Sequence, residues 1–315
     1  MITTTLLQRI RLLPVLFAGL VLAGCGIARA ADTDTVYLFA GYRNQGDGLH
    51  FSYSSDARHW TPINGTFLTS RLGARLFRDP YILHSADGVY RMVWTTGFKD
   101  IGVGYAQSTD LIHWTEPRVL PLMKAFPSKN CWAPKLLQDT ATGLFRIYWT
   151  SSVEGWFADA APTSGDFNNR TFQATTRDFI AFSEPSLLIE PGFDHNDPNI
   201  IAWHGGYIAT FKQGDNSKEK IWGPHYAATA TNAAGPFKLV PTPILSEHAD
   251  VLALVNAGDQ LIYYIKRASP RQFAAFATTD GQIWTDITNT VSGDVTQNQG
   301  CIFSVPASVL TQLQA

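Results

Sequence analysis

Apolar and polar positions alternate along most of this chain in short runs, and the runs recur in a fixed order. A polar turn leads into a short apolar run at five places, near Arg78, Trp132, Asn196, Ser246 and Gln299. After each of the first four comes a turn with Gly or Asp and then a run rich in β-branched and aromatic residues, which is typical of β-strands. No helical period appears before residues 308–313. The pattern predicts an all-β protein.

A second marker recurs between these openings. It is a Ser/Thr-x-Asp turn followed four residues later by an aromatic residue, as at Asp56–Trp60, Asp110–Trp114, Asp178–Phe182 and Asp280–Trp284. Residues 232–237 form a looser copy. The two markers alternate with a period of roughly 50–65 residues, the size of one four-stranded propeller blade.

The two ends of the repeat region complement each other. Residues 36–53 read as strands without an opening strand, whereas residues 301–305 read as an opening strand with no blade after it. Joining the two completes a fifth blade and removes an exposed sheet edge. We therefore predict that residues 32–315 form a five-bladed β-propeller, closed by the C-terminal strand.

Residues 1–31 read as a signal peptide. Arg9 and Arg11 precede an apolar stretch at 12–22, too short to span a bilayer as a helix. The sequence at 22–25 resembles a lipobox in which Cys25 becomes a lipidated N-terminus, and Ala30 ends a second possible cleavage site. The first site predicts a lipoprotein of the periplasm or outer membrane, attached to the membrane by the Cys25 lipid, and the second a secreted protein.

The composition limits the classes of binding partner that we expect. The net charge of -2 gives no basic stripe for nucleic acid, while an aromatic content of 12% with nine Trp suits the apolar faces of sugar rings. Beyond Cys25, only Cys131 and Cys301 remain, and we expect two free thiols. No Cys/His spacing indicates a zinc site. We expect a monomer that needs no metal or cofactor and takes an oligo- or polysaccharide substrate.

Three carboxylates fall near the openings of predicted first strands, which a propeller brings to a common axis. They are Asp79, Asp197 and Glu247. Cleavage of a glycosidic bond needs one carboxyl group to protonate the leaving oxygen and a second on the opposite face of the sugar. A third carboxylate beside the acid raises its pKa by like-charge repulsion. The trio therefore predicts a glycosidase.

The order Arg-Asp-Pro at 78–80, Trp-Ala-Pro at 132–134, Asp-Pro at 197–198 and then Glu247 resembles glycoside hydrolase family 43. This resemblance implies an inverting enzyme that cleaves α-L-arabinofuranosidic or β-D-xylosidic bonds in plant-type polysaccharides. It implies that Asp79 is the general base, Asp197 the residue that tunes the acid, and Glu247 the general acid. Two motifs depart from the family: Glu247 is followed by His-Ala instead of Gly-Pro, and Gln299 replaces a histidine near an axial ion or water, so we predict no metal.

Further residues near the strand openings and in neighbouring loops are candidates for sugar contacts. These are Trp132, Arg78, His195, Trp156, Trp222 and Phe98. Glu154, in a Glu-Gly motif after a second strand, is a weaker candidate for the acid. Two alternatives stay open: a catalytically inactive propeller that only binds glycans at the cell surface, favoured by the altered Glu247 motif, and a sialidase-like retaining glycosidase, favoured by the Asp-box-like turns.

Overall fold

The computed structural model describes residues 34–315, except 45, 140–141, 159–166, 215–221, 269 and 295, and for Trp222 and Ala268 it describes the backbone alone. The predicted signal peptide and Cys25 lie outside these residues. Within the described part of the chain, no helix is long and apolar enough to cross a membrane.

The described strands form five antiparallel sheets of four strands each. Blade one contains β4 (Arg78–His84), β5 (Tyr90–Thr95), β6 (Val103–Ser108) and β7 (Arg118–Leu120). Blade two contains β8 (Trp132–Asp139), β9 (Leu144–Ser151), β10 (Arg170–Thr176) and β11 (Ser186–Ile189). Blade three contains β12 (His195–Trp203), β13 (Gly206–Gly214), β14 (Trp222–Ala230) and β15 (Lys238–Leu239). Blade four contains β16 (Ala249–Ala257), β17 (Gln260–Ala268), β18 (Arg271–Thr278) and β19 (Thr285–Asp286).

Blade five joins the two ends of the described chain. It contains β20 (Cys301–Pro306), β1 (Thr35–Gly41), β2 (His50–Ser54) and β3 (Thr61–Pro62). β20 pairs antiparallel with β1, with Cys301 opposite Ala40 and Pro306 opposite Thr35. A short helix, α1 (Ala307–Leu313), follows β20 and buries Leu313 against the core. The structure confirms the predicted five-bladed propeller and its closure by the C-terminal strand.

The first strands of the blades form a closed ring. β4 contacts β8, β8 contacts β12, β12 contacts β16, β16 contacts β20, and β20 contacts β4. The apolar core lies in the wedges between neighbouring blades: one cluster, for example, combines Leu38 and Phe51 of blade five with Ile82 and Trp94 of blade one. Burial of a large apolar side chain contributes about 1.5–3 kcal/mol, so each wedge fixes the position of two blades.

Three first strands begin with a bulge that changes the direction of the side chains. Asp79, Ala133 and Asp197 adopt positive φ angles of 54°, 47° and 57°, and each precedes a proline. The strand pairing shifts register at all three places. Proline fits a bulge because it has no backbone N–H to pair, and a bulge can re-aim a side chain.

The Ser/Thr-x-Asp turns are structural. Asp110 Oδ1 accepts hydrogen bonds from the backbone N–H groups of Ile112, at 2.9 Å, and His113, at 2.7 Å. Asp56, Asp178 and Asp280 make equivalent bonds. These carboxylates fix turns in the blades and do not line the cavity described below.

We expect that deletion of residues 300–315 abolishes cooperative folding. The deletion exposes the edge of β1 and leaves apolar residues such as Leu38 without the partners that β20 and α1 supply. Thermal unfolding followed by circular dichroism measures the effect. Deletion of only Gln314 and Ala315, which are both exposed, is the control and should leave the melting temperature unchanged. A cooperative melt of the long deletion at the wild-type temperature would contradict this prediction.

Candidate active site

A cavity of about 390 Å³ lies at the heads of the first strands and is lined by residues of all five blades. Its volume is within the range of small-molecule sites in proteins, about 300–1,000 Å³. Two of the three predicted carboxylates, Asp79 and Asp197, line it. The bulges that place both residues explain how positions far apart in sequence reach one cavity.

Asp79 is buried and only half satisfied by hydrogen bonds. Its Oδ2 accepts a bond of 2.9 Å from Thr95 Oγ1, which in turn accepts a bond from the backbone N–H of Ala133. Its Oδ1 is buried and has no hydrogen-bond partner among the described residues. Burial raises the pKa of Asp79 and the negative charge of Asp197 adds to this, whereas the positive charges of Arg78 and Lys135 act in the opposite direction.

Glu247 does not lie with the other two carboxylates. It precedes the start of β16 at Ala249, is exposed, and its carboxylate accepts a hydrogen bond of 2.8 Å from Arg267 Nε. Arg267 also binds Asp286, so Glu247 belongs to a charged cluster outside the cavity. The sequence predicts that Glu247 lies with Asp79 and Asp197, but the structure places it outside their cavity.

Asp250 is the third carboxylate that lines the cavity. It pairs with Lys266 across β16 and β17 and so occupies the strand-head position that Arg78, Trp132 and Asn196 occupy in their blades. The buried His225, whose ring contacts the carbonyl of Ala249 at 3.1 Å, fixes the start of this strand. The spacing agrees with this: Asp250 precedes the first residue of its hairpin turn, Gly258, by eight residues, and Asn196 precedes His204, the first residue of its own turn, by the same interval.

Lys212 joins two of the carboxylates. Its Nζ lies 2.7 Å from Asp197 Oδ2 and 3.2 Å from Asp250 Oδ1. Burial alone would lower the pKa of Lys212, but the two carboxylates outweigh burial and raise it. Partial burial likewise would raise the pKa of Asp250, but the charge and hydrogen bond of Lys212 lower it below its usual value. Among the cavity carboxylates, Asp79 thus has a raised pKa and Asp250 a lowered one.

A second buried lysine crosses the propeller axis. Lys135 extends from β8 of blade two, and its Nζ is 3.5 Å from the carbonyl oxygen of Gly300 in the segment that leads into blade five. Blades two and five are not neighbours in the ring, so the side chain spans the centre of the molecule. Burial lowers the pKa of Lys135, and the negative charges of Asp79 and Asp197 act in the opposite direction. Within the described residues, no group of three or more His, Cys, Asp or Glu could hold a metal ion.

Aromatic side chains line part of the cavity. Trp132 donates its Nε1–H to the carbonyl of Phe98 at 3.0 Å, and its ring lies 4.6 Å from the ring of Phe167. The guanidinium group of Arg78 lies 5.2 Å from the centre of the Phe98 ring and 5.6 Å from that of Tyr42. Trp132, Arg78 and Phe98 therefore line the cavity, in agreement with their predicted positions. Such a wall can stack on a sugar ring.

The other predicted contact residues are placed differently. His195 is fully buried, lies 2.7 Å from Thr171 Oγ1 and does not line the cavity. Burial, together with the charge of Arg170, lowers the pKa of His195 to about 3, so the ring is neutral and structural. Trp156 packs on Phe126, Phe157 and Phe172 outside the cavity. Glu154 is exposed and also lies outside it, and the side chain of Trp222 is not among the described parts of the chain.

Several cavity residues were not predicted as site residues, although Asn196 and Gln299 lie in strand openings that the sequence marks. They are Tyr42, Phe167, Asn169, Asn196, Lys212, Asp250, Lys266, Asn298 and Gln299. Asn196 and Asp250 lie at the heads of first strands, and Lys212 and Lys266 lie opposite them on the paired second strands. Arg78 is the single arginine in this lining as the structure describes it, so the three arginines that a sialidase site requires are not assembled there.

Comparison with known proteins agrees with this architecture. Residues 32–308 match the model of a family related to glycoside hydrolase family 43, described as a probable glycosyl hydrolase domain. A comparison with curated protein sequences gives no match.

Solved structures of similar fold include a thermostable family-43 glycoside hydrolase, with 16% identity, a TM-score of 0.60, and coverage of 83% of this chain and 92% of the other. An endo-1,4-beta-xylanase from Bacteroides thetaiotaomicron has 17% identity, a TM-score of 0.57, and coverage of 85% and 94%. An endo-arabinase from the same organism has 15% identity, a TM-score of 0.52, and coverage of 70% and 82%. At these identities, the likeness concerns the fold.

The raised pKa of Asp79 predicts that Asp79→Asn stabilises the protein at neutral pH. A carboxyl group whose pKa is higher in the folded state destabilises the fold once it is ionised, from the unfolded pKa of about 3.9 upward. For a domain of this size, about 1 kcal/mol corresponds to roughly 2–4 °C in Tm, and we expect a gain of that order. The gain should vanish as the pH falls below the unfolded pKa. Thermal melts of wild type and variant between pH 3 and pH 8 measure it.

Asp87→Asn provides a control of opposite sign. Arg91 lowers the pKa of Asp87 to about 2, so its charge stabilises the fold above that range and the variant should be slightly less stable at neutral pH. A loss of stability of Asp79→Asn at neutral pH would contradict the prediction, because it would mean that the ionised Asp79 does not destabilise the folded state.

Proposed function

Because the chain belongs to the probable glycosyl hydrolase family related to glycoside hydrolase family 43, we propose that this glycosidase is exported and cleaves arabinofuranosyl or xylosyl bonds with inversion. One observation carries the proposal: Asp79, Asp197 and Asp250 line one cavity, together with aromatic side chains suited to a sugar ring. The choice of sugar rests on the family resemblance of the strand-head motifs. The xylanase and the endo-arabinase of similar fold are consistent with a pentose.

Asp79 is suited to act as the general base. Its Oδ1 has no partner and can accept a proton from a water molecule, while Thr95 and the neighbouring backbone hold the carboxylate in a fixed orientation. A base works best when its pKa approaches the working pH, and the raised pKa of Asp79 serves this purpose. The water, once deprotonated, attacks the anomeric carbon from the face opposite the leaving group.

Asp250 replaces Glu247 in the role of the general acid in this proposal. Its side chain is 55% exposed and faces the cavity, so it can approach the oxygen of a leaving group, whereas Glu247 is held by Arg267 outside. Asp197 and Lys212 then set the protonation of Asp250: the Lys212 charge opposes it, and a shift of Lys212 toward Asp197 favours it. An acid with a lowered pKa is protonated mainly at acidic pH, so we expect the highest activity below neutral pH.

A propeller that binds glycans without cleaving them is the second candidate. It is favoured by the contact of Lys212 with Asp250, which keeps the proposed acid ionised in the empty cavity. Binding without turnover of activated substrates separates this candidate from the enzyme.

The N-terminal sequence suggests where in the cell the protein is located. The lipobox-like residues 22–25 favour attachment of the exported protein to a membrane through a lipid on Cys25. A single acyl chain binds membranes only marginally, but several chains on one cysteine anchor a protein stably.

Hydrolysis of aryl glycosides tests the function. We expect turnover of aryl α-L-arabinofuranosides or β-D-xylosides, with an optimum at acidic pH, and no turnover of sialosides. Proton NMR, read before mutarotation, should show that the first-formed sugar has inverted configuration. A product of retained configuration would contradict the proposed pairing of a base with an acid. Bound but uncleaved sugars would favour the second candidate.

Carboxylate variants test the assignment of roles. Asp79→Asn and Asp250→Asn should each lower kcat by about 10²–10⁴-fold, the usual contribution of an acid or a base. A good leaving group needs little protonation and should partly restore Asp250→Asn but not Asp79→Asn. Glu247→Gln, a change of the same kind outside the cavity, should retain activity within about threefold of wild type. Inactivation by Glu247→Gln, with Asp250→Asn active, would return the acid role to Glu247.

Replacement of Cys25 tests the location. Membrane fractionation of cells should find the wild-type protein with the membrane, and Cys25→Ser should either release protein cut after Ala30 or leave uncut precursor. Wild-type protein found soluble outside the cytoplasm with Ala31 at its N-terminus would overturn the lipid attachment without affecting the proposed enzyme activity.

A further inference from the structure

One wall of the cavity presents hydrogen-bond donors that lack acceptors. We define the donor wall as Arg78, Lys266 and Gln299, which all line the cavity. Arg78 Nε and Gln299 Nε2 are buried and have no hydrogen-bond partner within the described chain. Lys266 carries three N–H groups and uses two of them, toward the Gln297 carbonyl and Asn298 Oδ1.

The three donors belong to one connected surface. Asn298, which binds Lys266, donates its backbone N–H to the Tyr42 carbonyl at 2.9 Å, and the ring of Tyr42 lies under Arg78 at 5.6 Å. Gly300 allows the close approach of this segment to β1, because a Cβ at that position would lie 1.8 Å from the Ala40 carbonyl oxygen. Blades one, four and five therefore meet at the donor wall.

Neither cation of the donor wall forms an ion pair at contact distance with a described carboxylate, although the charge of Asp79 acts on Arg78 and raises its pKa, so Lys266 is the less compensated of the two. Among the described residues, neither Arg78 nor Lys266 has a carboxylate oxygen within 4 Å, whereas Lys212 contacts both Asp197 and Asp250. Lys266 is 8% exposed. A buried cation without a partner destabilises a protein, and an anion that binds beside it offsets this cost. Burial lowers the pKa of Lys266, which agrees with an incomplete compensation of its charge.

The chemistry of these groups selects the ligand. A sugar hydroxyl donates as well as accepts, but a carboxylate or a sulfate ester offers acceptor oxygens alone. Arginine and lysine bind such groups through charge-assisted hydrogen bonds, and the Gln299 amide supplies a further donor. Lys212 contacts Asp197 and Asp250, and the charges of Arg78 and Lys135 act on Asp79, so Lys266 is the cation of the cavity that is left to attract an anionic ligand.

We propose that the donor wall binds the anionic group of an acidic sugar, either a uronate carboxylate or a sulfate ester, so that the substrates are acidic oligosaccharides. This inference rests on the proposed glycosidase function and adds the substrate class. Where the cleaved residue is a neutral pentose, the acidic sugar is its neighbour in the chain.

Calorimetric titration of the wild-type protein with monosaccharides tests the inference without turnover. The probes are galacturonate, galactose 6-sulfate and galactose, with acetate and inorganic sulfate as anions that lack the sugar. We expect at least one acidic sugar to bind about tenfold or more tightly than galactose, as a charge-assisted bond predicts. This advantage should shrink as salt is added. The galacturonate and galactose 6-sulfate titrations decide between the two anionic groups.

Substitutions of single residues test whether the donor wall causes the preference for acidic sugars. Lys266→Met should lower the affinity for the acidic sugar to that for galactose and so abolish the preference, while Lys266→Arg should keep the preference. Gln299→Leu leaves the bonds of Lys266 to Gln297 and Asn298 intact and should reduce the preference for the acidic sugar. This variant tests the inference even if Lys266→Met fails to fold. Lys238→Met, at an exposed position of β15 outside the cavity, is the matched control and should behave as wild type.

Equal affinity for galactose and both acidic sugars, or a preference that survives both Lys266→Met and Gln299→Leu, would overturn the inference. These outcomes are distinct from a failure of the proposed function. Turnover of neutral aryl glycosides without any acidic preference would leave the enzyme and remove the donor-wall proposal. Acidic preference without turnover of any glycoside would keep the donor wall as a binding site and remove the catalytic proposal.

Discussion

Every cavity residue of this protein depends on the closure of a ring of first strands. The pairing of β20 with β1 completes blade five and holds β20 in the ring between β16 and β4, and the apolar wedges between blades hold the ring strands at fixed spacing. Strand heads from positions about 50 residues apart then face one another across a narrow space. Without closure, the strand pairs would still form locally, but the carboxylates would have no common location. The site is therefore a property of the ring and not of any single blade.

The centre of the ring concentrates charge in a place where charge is costly. Asp79 and Asp197 are buried beside Arg78, Lys135 and Lys212, and each group shifts the protonation of its neighbours. The cations limit the destabilisation by the carboxylates, and Lys135 does so from across the axis. The arrangement separates two carboxyl groups by environment: one is deep and has a raised pKa, the other is open to the cavity and has a lowered one. This order is the reverse of the one that a base and an acid need, so the proposed reaction requires the contact between Lys212 and Asp250 to weaken when substrate binds.

The cavity combines this polar floor with two different walls. Trp132, Phe98 and Phe167 supply apolar surface for the face of a sugar, and the donor wall of Arg78, Lys266 and Gln299 adjoins them where Arg78 lies against the Phe98 ring. A glycosidase for neutral sugars needs the first wall, whereas the donor atoms of the second wall that have no acceptor favour an anionic substituent. The two walls together connect the proposed reaction with the proposed acidic substrate, because one fixes the plane of the ring and the other its charged substituent.

The sequence by itself determined the repeat, the strand class, the closure of the fifth blade and the positions of Asp79, Asp197, Arg78, Trp132 and Phe98. These follow from local patterns: alternating apolar positions, turn residues, and prolines that mark bulges. Only the tertiary structure decided the third carboxylate. Glu247 has the better local motif, but two residues separate it from Asp250 at the strand head, and the start of β16, which no local rule fixes, places Asp250 inside and Glu247 outside. Lys212 and Lys266 reach the cavity because they pair with the heads of the first strands of their own blades, and Gln299 reaches it from the segment before β20. His195 is buried by its neighbours instead of facing the sugar. These outcomes depend on contacts between residues distant in sequence, which the folded ring alone brings together.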